Sequence, residues 1–336
     1  MASSIRNESS PSSSTDAGER LQVAGQSHRL RAACWHALRI LVTLGAFVLL
    51  FSLVDVRLVL GAVRNADLPT LAISTCLVFL GVGLGALRWK ALLSAYGSKS
   101  SPPVGRLLHL YLVGQFYNTF LPGAVGGDVV RGVATREAFG ENGVAGSITV
   151  VLIERAVGLA ALLLVVSVTT AVVPMPAVRG VMGWSIVGIG IAALAVTTAA
   201  QGHRLGKLLP GKLGSLLASM PRLARPSRFA AALAMSLGTC ALPTIAGHAI
   251  MNTLCPSIGL ADSLVIVPLA LAASFFPITV AGAGAREAAF VALWQTKGIS
   301  AADALAGSLL MLACQLAVAC AGGIAAFLKP IGRRKP

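Results

Sequence analysis

Glycines, a proline and two opposite charges interrupt an apolar stretch at residues 114–131, where the sequence reads GQFYNTFLPGAVGGDVVR. Glycines allow positive φ and close approach of a ligand to backbone N–H groups, and a helix that begins after them turns its positive end toward an anion. Asp128 could cap such a helix, with Arg131 three residues later. Because a guanidinium matches two phosphate oxygens, this pattern predicts phosphate binding.

Residues 114–131 also offer polar and backbone groups that could line a groove for a head group. Gln115, Tyr117 and Asn118 precede the proline, and of these Asn118 is the favoured candidate, since Tyr is also a common anchor at membrane interfaces. Pro122, Gly126 and Gly127 complete the predicted site in this segment. The segment lacks the Gly-Lys-Ser/Thr ending of a nucleotide-binding loop, and a Gly-rich loop without a ligand remains the alternative.

A second segment, FFPITVAGAGARE at residues 275–287, repeats the order of proline, spaced glycines, arginine and carboxylate. Its candidate residues are Gly282, Gly284, Arg286 and Glu287. It has two glycines where a dinucleotide fingerprint has three, and it follows no predicted strand. The alternative is an external turn with an incidental ion pair.

Glu154 and Arg155 lie side by side within an apolar run. Neighbours on a helix point about 100° apart, so each needs its own partner. A charge at the centre of a spanning helix costs roughly 2.5 to 3.5 kcal/mol on insertion scales, which requires pairing, hydration or an interfacial position. In the simplest arrangement the acids pair with nearby bases, and the set has no net charge. The acids are Asp128, Glu154 and Glu287, and the bases are Arg131, Arg155 and Arg286. In one interpretation these ion pairs are purely structural. In the other, Arg131 or Arg286 also binds a phosphate group of the ligand.

The composition predicts that lipid surrounds the elements that position these residues. The chain is 56% hydrophobic and 12% charged, with a mean hydropathy of +0.81, more apolar than a water-soluble domain. Long apolar runs indicate helices, since every backbone polar group must be satisfied within the membrane. The expected class is therefore an all-α integral membrane protein.

The net charge of +15 does not indicate nucleic-acid binding, because the cations flank apolar runs and so set topology. The six cysteines form no C-x-x-C pattern, and no arrangement of His and acids suits a metal. We predict no metal, no cofactor and no nucleic-acid partner.

Six apolar segments have spanning length. They are 37–54, 68–87, 147–173, 181–199, 229–251 and 304–328. Basic residues place four segments in the cytoplasm: the N-terminal tail, 88–106 with Arg88, 204–228, and the C-terminal end. Parity then requires residues 107–120 to enter and leave by one face and residues 263–296 by the other. The prediction is a polytopic bundle of about six to eight transmembrane helices with two opposed re-entrant or broken elements around a central site. In the alternative, each of these two elements is a pair of short helices that cross the whole membrane, which leaves the predicted sides of all other segments unchanged.

The predicted organisation has three parts: a serine-rich disordered cytoplasmic tail at 1–36, a transmembrane domain at 37–328 and a basic cytoplasmic tail at 329–336. Both termini are expected in the cytoplasm, and the membrane is expected to be a bacterial inner membrane.

Three motifs in order carry a resemblance to a known family. They are Asn118-x-x-Leu121-Pro122-Gly123-x-x-Gly126-Gly127-Asp128-x-x-Arg131, Glu154-Arg155-x-x-Gly158-Leu159, and Pro277 followed by Gly282-x-Gly284-x-Arg286-Glu287. Over about residues 38–328 the chain resembles the lysylphosphatidylglycerol synthase transmembrane family, also called flippase-like. The resemblance implies movement of a lipid between leaflets, without the cytosolic aminoacyl-transfer domain of the two-part members.

The leading functional hypothesis is therefore a non-enzymatic lipid flippase whose substrate is a phosphate-bearing lipid, aminoacylated or polyprenyl-linked. One alternative is an accessory or catalytic partner in lipid or glycolipid assembly, beside a lipid-modifying enzyme or glycosyltransferase. Another is a secondary transporter of a small anionic solute.

Overall fold

The structure is a computed structural model that describes residues 56–64, 66–98, 102–120, 126–172, 179–208, 210–211, 214, 221–274 and 284–329. Outside these ranges lie the predicted tail at 1–36, the predicted span 37–54, residues 330–336 of the predicted tail 329–336, and Pro122, Pro277 and Gly282. The helices in them are α1 Val56–Arg64, α2 Leu68–Ala95, α3 Val104–Phe120, α4 Gly126–Ala134, α5 Gly143–Val172, α6 Arg179–Leu208, α7 Pro226–Leu254, α8 Leu260–Ala273, α9 Ala285–Gln295 and α10 Ala301–Leu328, with a 3₁₀ segment at Arg136–Asn142. Within the described ranges there is no strand.

Four of the described helices are long and apolar enough to cross a membrane: α2, α5 from Gly146, α7 and α10. They contain the predicted spans 68–87, 229–251 and 304–328, and all but the last residue of the predicted span 147–173. The predicted span 181–199 lies in α6, where the apolar part is the shorter Ile186–Thr198. These helices confirm the prediction of a polytopic all-α membrane bundle.

Two of the spanning helices begin at side-chain caps. Asp67 accepts hydrogen bonds from the hydroxyl (2.5 Å) and the amide (2.9 Å) of Thr70, at the start of α2. These donors hold the pKa of Asp67 below its usual range. Ser300 accepts a hydrogen bond from the amide of Asp303 (3.1 Å) at the start of α10. Capping satisfies N–H groups that have no partner within the helix.

The first predicted broken element is a pair of short helices, α3 and α4, that fold back on each other. Asn118 near the end of α3 contacts Gly127 near the start of α4, whereas Gly114, one turn earlier in α3, faces Arg131, one turn later in α4. A Cβ atom at Gly127 would overlap the backbone of Gly114. With nine residues, α4 is only about 14 Å long, too short to cross a bilayer.

The second predicted broken element corresponds to α8 and α9, which pack against each other on either side of residues 275–283. Their 14 and 11 residues also make both helices shorter than a full span. Ile266 of α8 and Phe290 and Trp294 of α9 are buried in one hydrophobic cluster.

Two hydrophobic clusters hold the broken elements in place. One joins α8 and α9 to α7 and α10, through residues such as Met251 and Leu305. The other joins α3 to α2, α5 and α7, through Trp89, Leu107 and Val150. Helix α7 contributes to both clusters. The interior of α7 contains Pro243, which cannot donate a hydrogen bond to the carbonyl of Thr239 four residues earlier.

Candidate functional site

The two broken elements meet at one cavity of about 640 Å³. Arg131 of α4 and Arg286 of α9 both line it, together with Glu154 and Arg155 of α5. Its other polar lining residues are Arg88, Tyr111, Gln115, Asn118, Thr119, Asp128, Thr239, Ser274 and Gln315, and its apolar lining includes Val78, Val82, Leu162, Pro243, Leu271, Leu312 and Leu316. Charged groups and apolar walls therefore share one space at the centre of the bundle.

A chain of alternating charges runs along one side of the cavity. Arg88 Nη2 lies 2.9 Å from Glu154 Oε1, and Glu154 Oε2 lies 3.1 Å from Arg131 Nη1. Arg131 Nη2 lies 2.5 Å from Asp128 Oδ1, and Asp128 Oδ2 accepts from Arg155 Nε. The neighbours Glu154 and Arg155 thus have separate partners, as their helical spacing predicts. Each inner member has two opposite charges beside it, which offsets the cost of removing it from water.

Arg131 is the most enclosed of the cavity arginines. Both of its terminal nitrogens donate to carboxylates, and its guanidinium carbon lies 4.3 Å from the centre of the Tyr111 ring and 5.1 Å from that of Trp89. Aromatic faces attract a cation through the ring quadrupole. The Tyr111 hydroxyl in turn donates to Glu154 Oε1 (2.9 Å). Arg131 therefore holds α2, α3, α4 and α5 together.

Arg286 and Glu287 form a separate ion pair on the opposite element. Arg286 Nε donates to Glu287 Oε1 (3.1 Å), and Arg286 Nη1 donates to Gln315 Oε1 of α10 (2.5 Å). Glu287 is fully buried, and its second oxygen accepts the N–H of Gly284 (2.6 Å). Gly284 has φ +86°, a conformation that favours glycine. A glycine with positive φ therefore precedes the first residue of α9.

Asn118 satisfies a backbone donor in the first turn of α4. Its side-chain oxygen accepts from the N–H of Gly127 (2.8 Å), and its side-chain nitrogen lies 3.3 Å from Asp128 Oδ1. The described partners of the Asp128 carboxylate are Arg131, Arg155 and Asn118. Asn118 of α3 thus caps the start of α4 at Gly127.

Replacing Asn118 by Ala should lower the free energy of unfolding by about 1 kcal/mol, because the cap of α4 is lost. Thermal unfolding of the purified protein would measure the change. Asn252→Ala, an exposed position near the end of α7, is the matched control and should leave the midpoint unchanged. An equal shift in both variants would contradict the capping role.

Arg88 was predicted to flank a span on the cytoplasmic side, but it lies buried within α2. It is only 7% exposed, because α2 continues to Ala95 and carries Arg88 two turns inside the helix end. Besides Glu154, its Nη1 donates to Thr239 (3.0 Å) and Ser236 (3.4 Å) of α7. The predicted set of three acids and three bases therefore gains a fourth base. Four arginines against three carboxylates leave one formal positive charge rather than zero.

The structure places six predicted site residues in the cavity lining: Asn118, Asp128, Arg131, Glu154, Arg155 and Arg286. Gly126 and Gly127 are the first two residues of α4. Glu287 accepts hydrogen bonds from Arg286 and from the N–H of Gly284. Four polar residues of the lining were not predicted from the sequence as site residues: Arg88, Tyr111, Thr239 and Gln315. Among the described residues, no group of three or more His, Cys, Asp or Glu side chains could hold a metal ion.

A family model described as "Lysylphosphatidylglycerol synthase TM region" matches residues 36–323, a range that includes every residue of the cavity. A search of curated proteins finds no match.

Proposed function

Because the chain belongs to the lysylphosphatidylglycerol synthase transmembrane family, we propose that it moves a phosphate-bearing lipid between the two leaflets of a membrane. The family match and the spanning helices make it a multi-pass membrane protein of a family linked to lipid modification or translocation. The observation that carries the finer proposal is the shared cavity, where arginines from both broken elements surround one space.

Arg155 and Arg286 are the proposed phosphate ligands. The Arg155 side chain is 33% exposed, compared with 6% for Arg131, so the lipid can reach Arg155 without breaking the buried charge chain. Arg286 donates to a neutral amide, that of Gln315, which a phosphate oxygen can replace at a gain in electrostatic energy. Arg131 then acts by positioning, since it orients Asp128, the partner of Arg155. The surplus positive charge of the four arginines favours an anionic head group.

The cavity also suits the rest of a lipid. Its volume of about 640 Å³ lies within the range of roughly 300–1,000 Å³ typical of small-molecule sites. Such a space holds a head group and the first acyl carbons, which can pack against Val78, Leu312 and Leu316. Longer acyl chains would extend toward the surrounding lipid.

Movement of the two broken elements relative to each other would expose the cavity to alternate leaflets. Opposed interrupted helices around a central site are the arrangement that many transporters use for alternating access. Pro243 of α7, where one helical hydrogen bond is missing, lines the cavity. Because α7 packs in both hydrophobic clusters, this point can absorb such a shift.

The test is lipid exchange in vesicles that contain the purified full chain and a trace of fluorescently labelled phosphatidylglycerol. A membrane-impermeant reductant quenches outer-leaflet label, so the second phase of quenching measures translocation. Arg155→Gln and Arg286→Gln should each slow that phase at least about tenfold, since a charged hydrogen bond is worth roughly 1.5–3 kcal/mol. Arg106→Gln, at an exposed position of α3, is the matched control and should retain the rate.

Equal quenching in empty vesicles, wild type and all variants would refute translocation. The cavity's surplus positive charge also favours transport of a small anionic solute, and uptake of glycerol phosphate by the same vesicles would reveal it. Solute uptake that depends on Arg155 and Arg286 without lipid exchange would replace the lipid proposal.

In this proposal the chain binds and moves a lipid without making or breaking bonds. A lipid-modifying enzyme or glycosyltransferase would supply or consume that lipid. The site of action would be a bacterial inner membrane, with both termini in the cytoplasm, and the bundle at 37–328 would be the transmembrane domain.

A further inference from the structure

A second cavity, of about 500 Å³, lies between the end of α6 and the segment that leads into α7. Arg204 and Lys207 of α6 and Arg222 of the following segment line it, together with Gln201. None of these residues belongs to the central cavity. The space therefore concentrates three cations outside the proposed translocation site.

The three cations of this second cavity lack the compensation found in the central one. From Ala156 to Ala261 the sequence contains no Asp or Glu, and no carboxylate lines the cavity. Within the described part of the chain, Arg204, Lys207 and Arg222 form no ion pair, whereas Arg88, Arg131, Arg155 and Arg286 each pair with a carboxylate. Three like charges gathered in one concavity attract an anion from outside the protein.

The wall of the second cavity is fixed to the bundle. The amides of Ala224 and Arg225 both donate to the carbonyl of Ala95 at the end of α2, at 2.7 and 3.0 Å. Leu223 packs against the hydrophobic cluster that contains Trp89 and Leu107. Arg222 is therefore held on an anchored segment opposite α6.

The second cavity lies where a spanning helix ends. The membrane-spanning helix α7 begins at Pro226, a cavity-lining residue, which places the cations near one membrane surface, at the level of lipid head groups. Leu223 and Pro226 supply apolar lining beside the cations. A basic pocket between helix ends at this level matches anionic head groups whose chains stay in the leaflet.

We propose that this second cavity binds the phosphate group of an anionic membrane lipid, as a site independent of the central cavity. Guanidinium and ammonium groups from two elements would share the phosphate oxygens. The ligand would join α6 to the start of α7 and screen the repulsion among the three cations. A phosphomonoester, which carries more charge than a phosphodiester, should bind more tightly.

Binding of fluorescent phosphatidic acid to the purified full chain in detergent tests this proposal, with phosphatidylcholine of the same acyl chains as the neutral reference. The triple variant R204Q/K207Q/R222Q should weaken phosphatidic acid binding about tenfold or more, since each cation near a lipid surface contributes about 1 kcal/mol. The triple variant R106Q/R225Q/R228Q removes three exposed charges outside the cavity and should change binding less than twofold. Combining each triple variant with Arg286→Gln removes the contribution of the central cavity, and the difference between the two triple variants should persist in that background, which separates this site from the central one.

Two results would overturn the proposal. Equal losses in the two triple variants would mean diffuse attraction to a basic surface. Displacement of the lipid by inorganic phosphate at equimolar concentration would assign the cavity to a soluble phosphate. Unchanged size-exclusion profiles of all variants establish that a loss of binding does not reflect unfolding.

Discussion

Replacing Glu154 by Gln is expected to lower the free energy of unfolding by about 3–5 kcal/mol, the cost of breaking a buried ion pair. Glu154 is 1% exposed and is the carboxylate that Arg88 and Arg131 share. The change leaves Arg88 buried without an opposite charge, beside the hydroxyls of Ser236 and Thr239. The midpoint of thermal unfolding, followed by size-exclusion chromatography after heating, should fall well below that of the wild type.

A second substitution separates this electrostatic cause from loss of packing. Adding Arg88→Met to Glu154→Gln removes the buried cation that has lost its carboxylate partner. The double variant should therefore recover part of the lost free energy of unfolding, even though it lacks another hydrogen-bonding group. The control for the single change is Glu137→Gln, at an exposed position of the 3₁₀ segment, where loss of a surface carboxylate should change stability by no more than about 1 kcal/mol. A Glu154→Gln variant as stable as Glu137→Gln would show that the charge chain is not needed for folding.

The pairing of acids with bases could be predicted from the sequence, but the complete charge chain could not. Charges such as Glu154 and Arg155 lie deep in an apolar run, so the cost of burying them identifies them at once. Arg88 precedes Lys90, and two cations after an apolar run look like the end of a span. Only the continuation of α2 to Ala95 reveals that Arg88 is inside the bundle.

Tyr111, Thr239 and Gln315 were missed for a different reason. Each is a neutral polar residue among apolar neighbours, and a hydroxyl such as that of Thr239 often bonds to the preceding turn of its own helix. The helical period cannot show which face meets the cavity when lipid and protein both favour apolar side chains. The glycine pattern was informative about the breaks in the helices, yet it did not reveal that α3 and α4 touch through their backbones.

Gly127→Ala is expected to destabilise the protein by about 3 kcal/mol, at the upper end of the usual cost of overpacking. The added Cβ atom would overlap the carbonyl oxygen of Gly114 and lie 2.5 Å from its carbonyl carbon. Backbone atoms cannot rotate away as a side chain can, so α4 must move off α3. That shift would carry Asp128 and Arg131 away from Glu154 and Arg155, and lipid exchange should fall together with stability.

Gly105→Ala provides the matched control, because a Cβ atom there meets nothing within 4 Å. Gly105 lies in the first turn of α3, so the same substitution should be neutral or stabilise by up to about 1 kcal/mol through its helix propensity. If Gly127→Ala were equally harmless, the close packing of α3 on α4 would be refuted. If it lowered stability but left lipid exchange intact, the position of Asp128 and Arg131 relative to α5 would not control translocation. Measuring both properties in both variants therefore separates the packing of the first broken element from its proposed role in moving lipid.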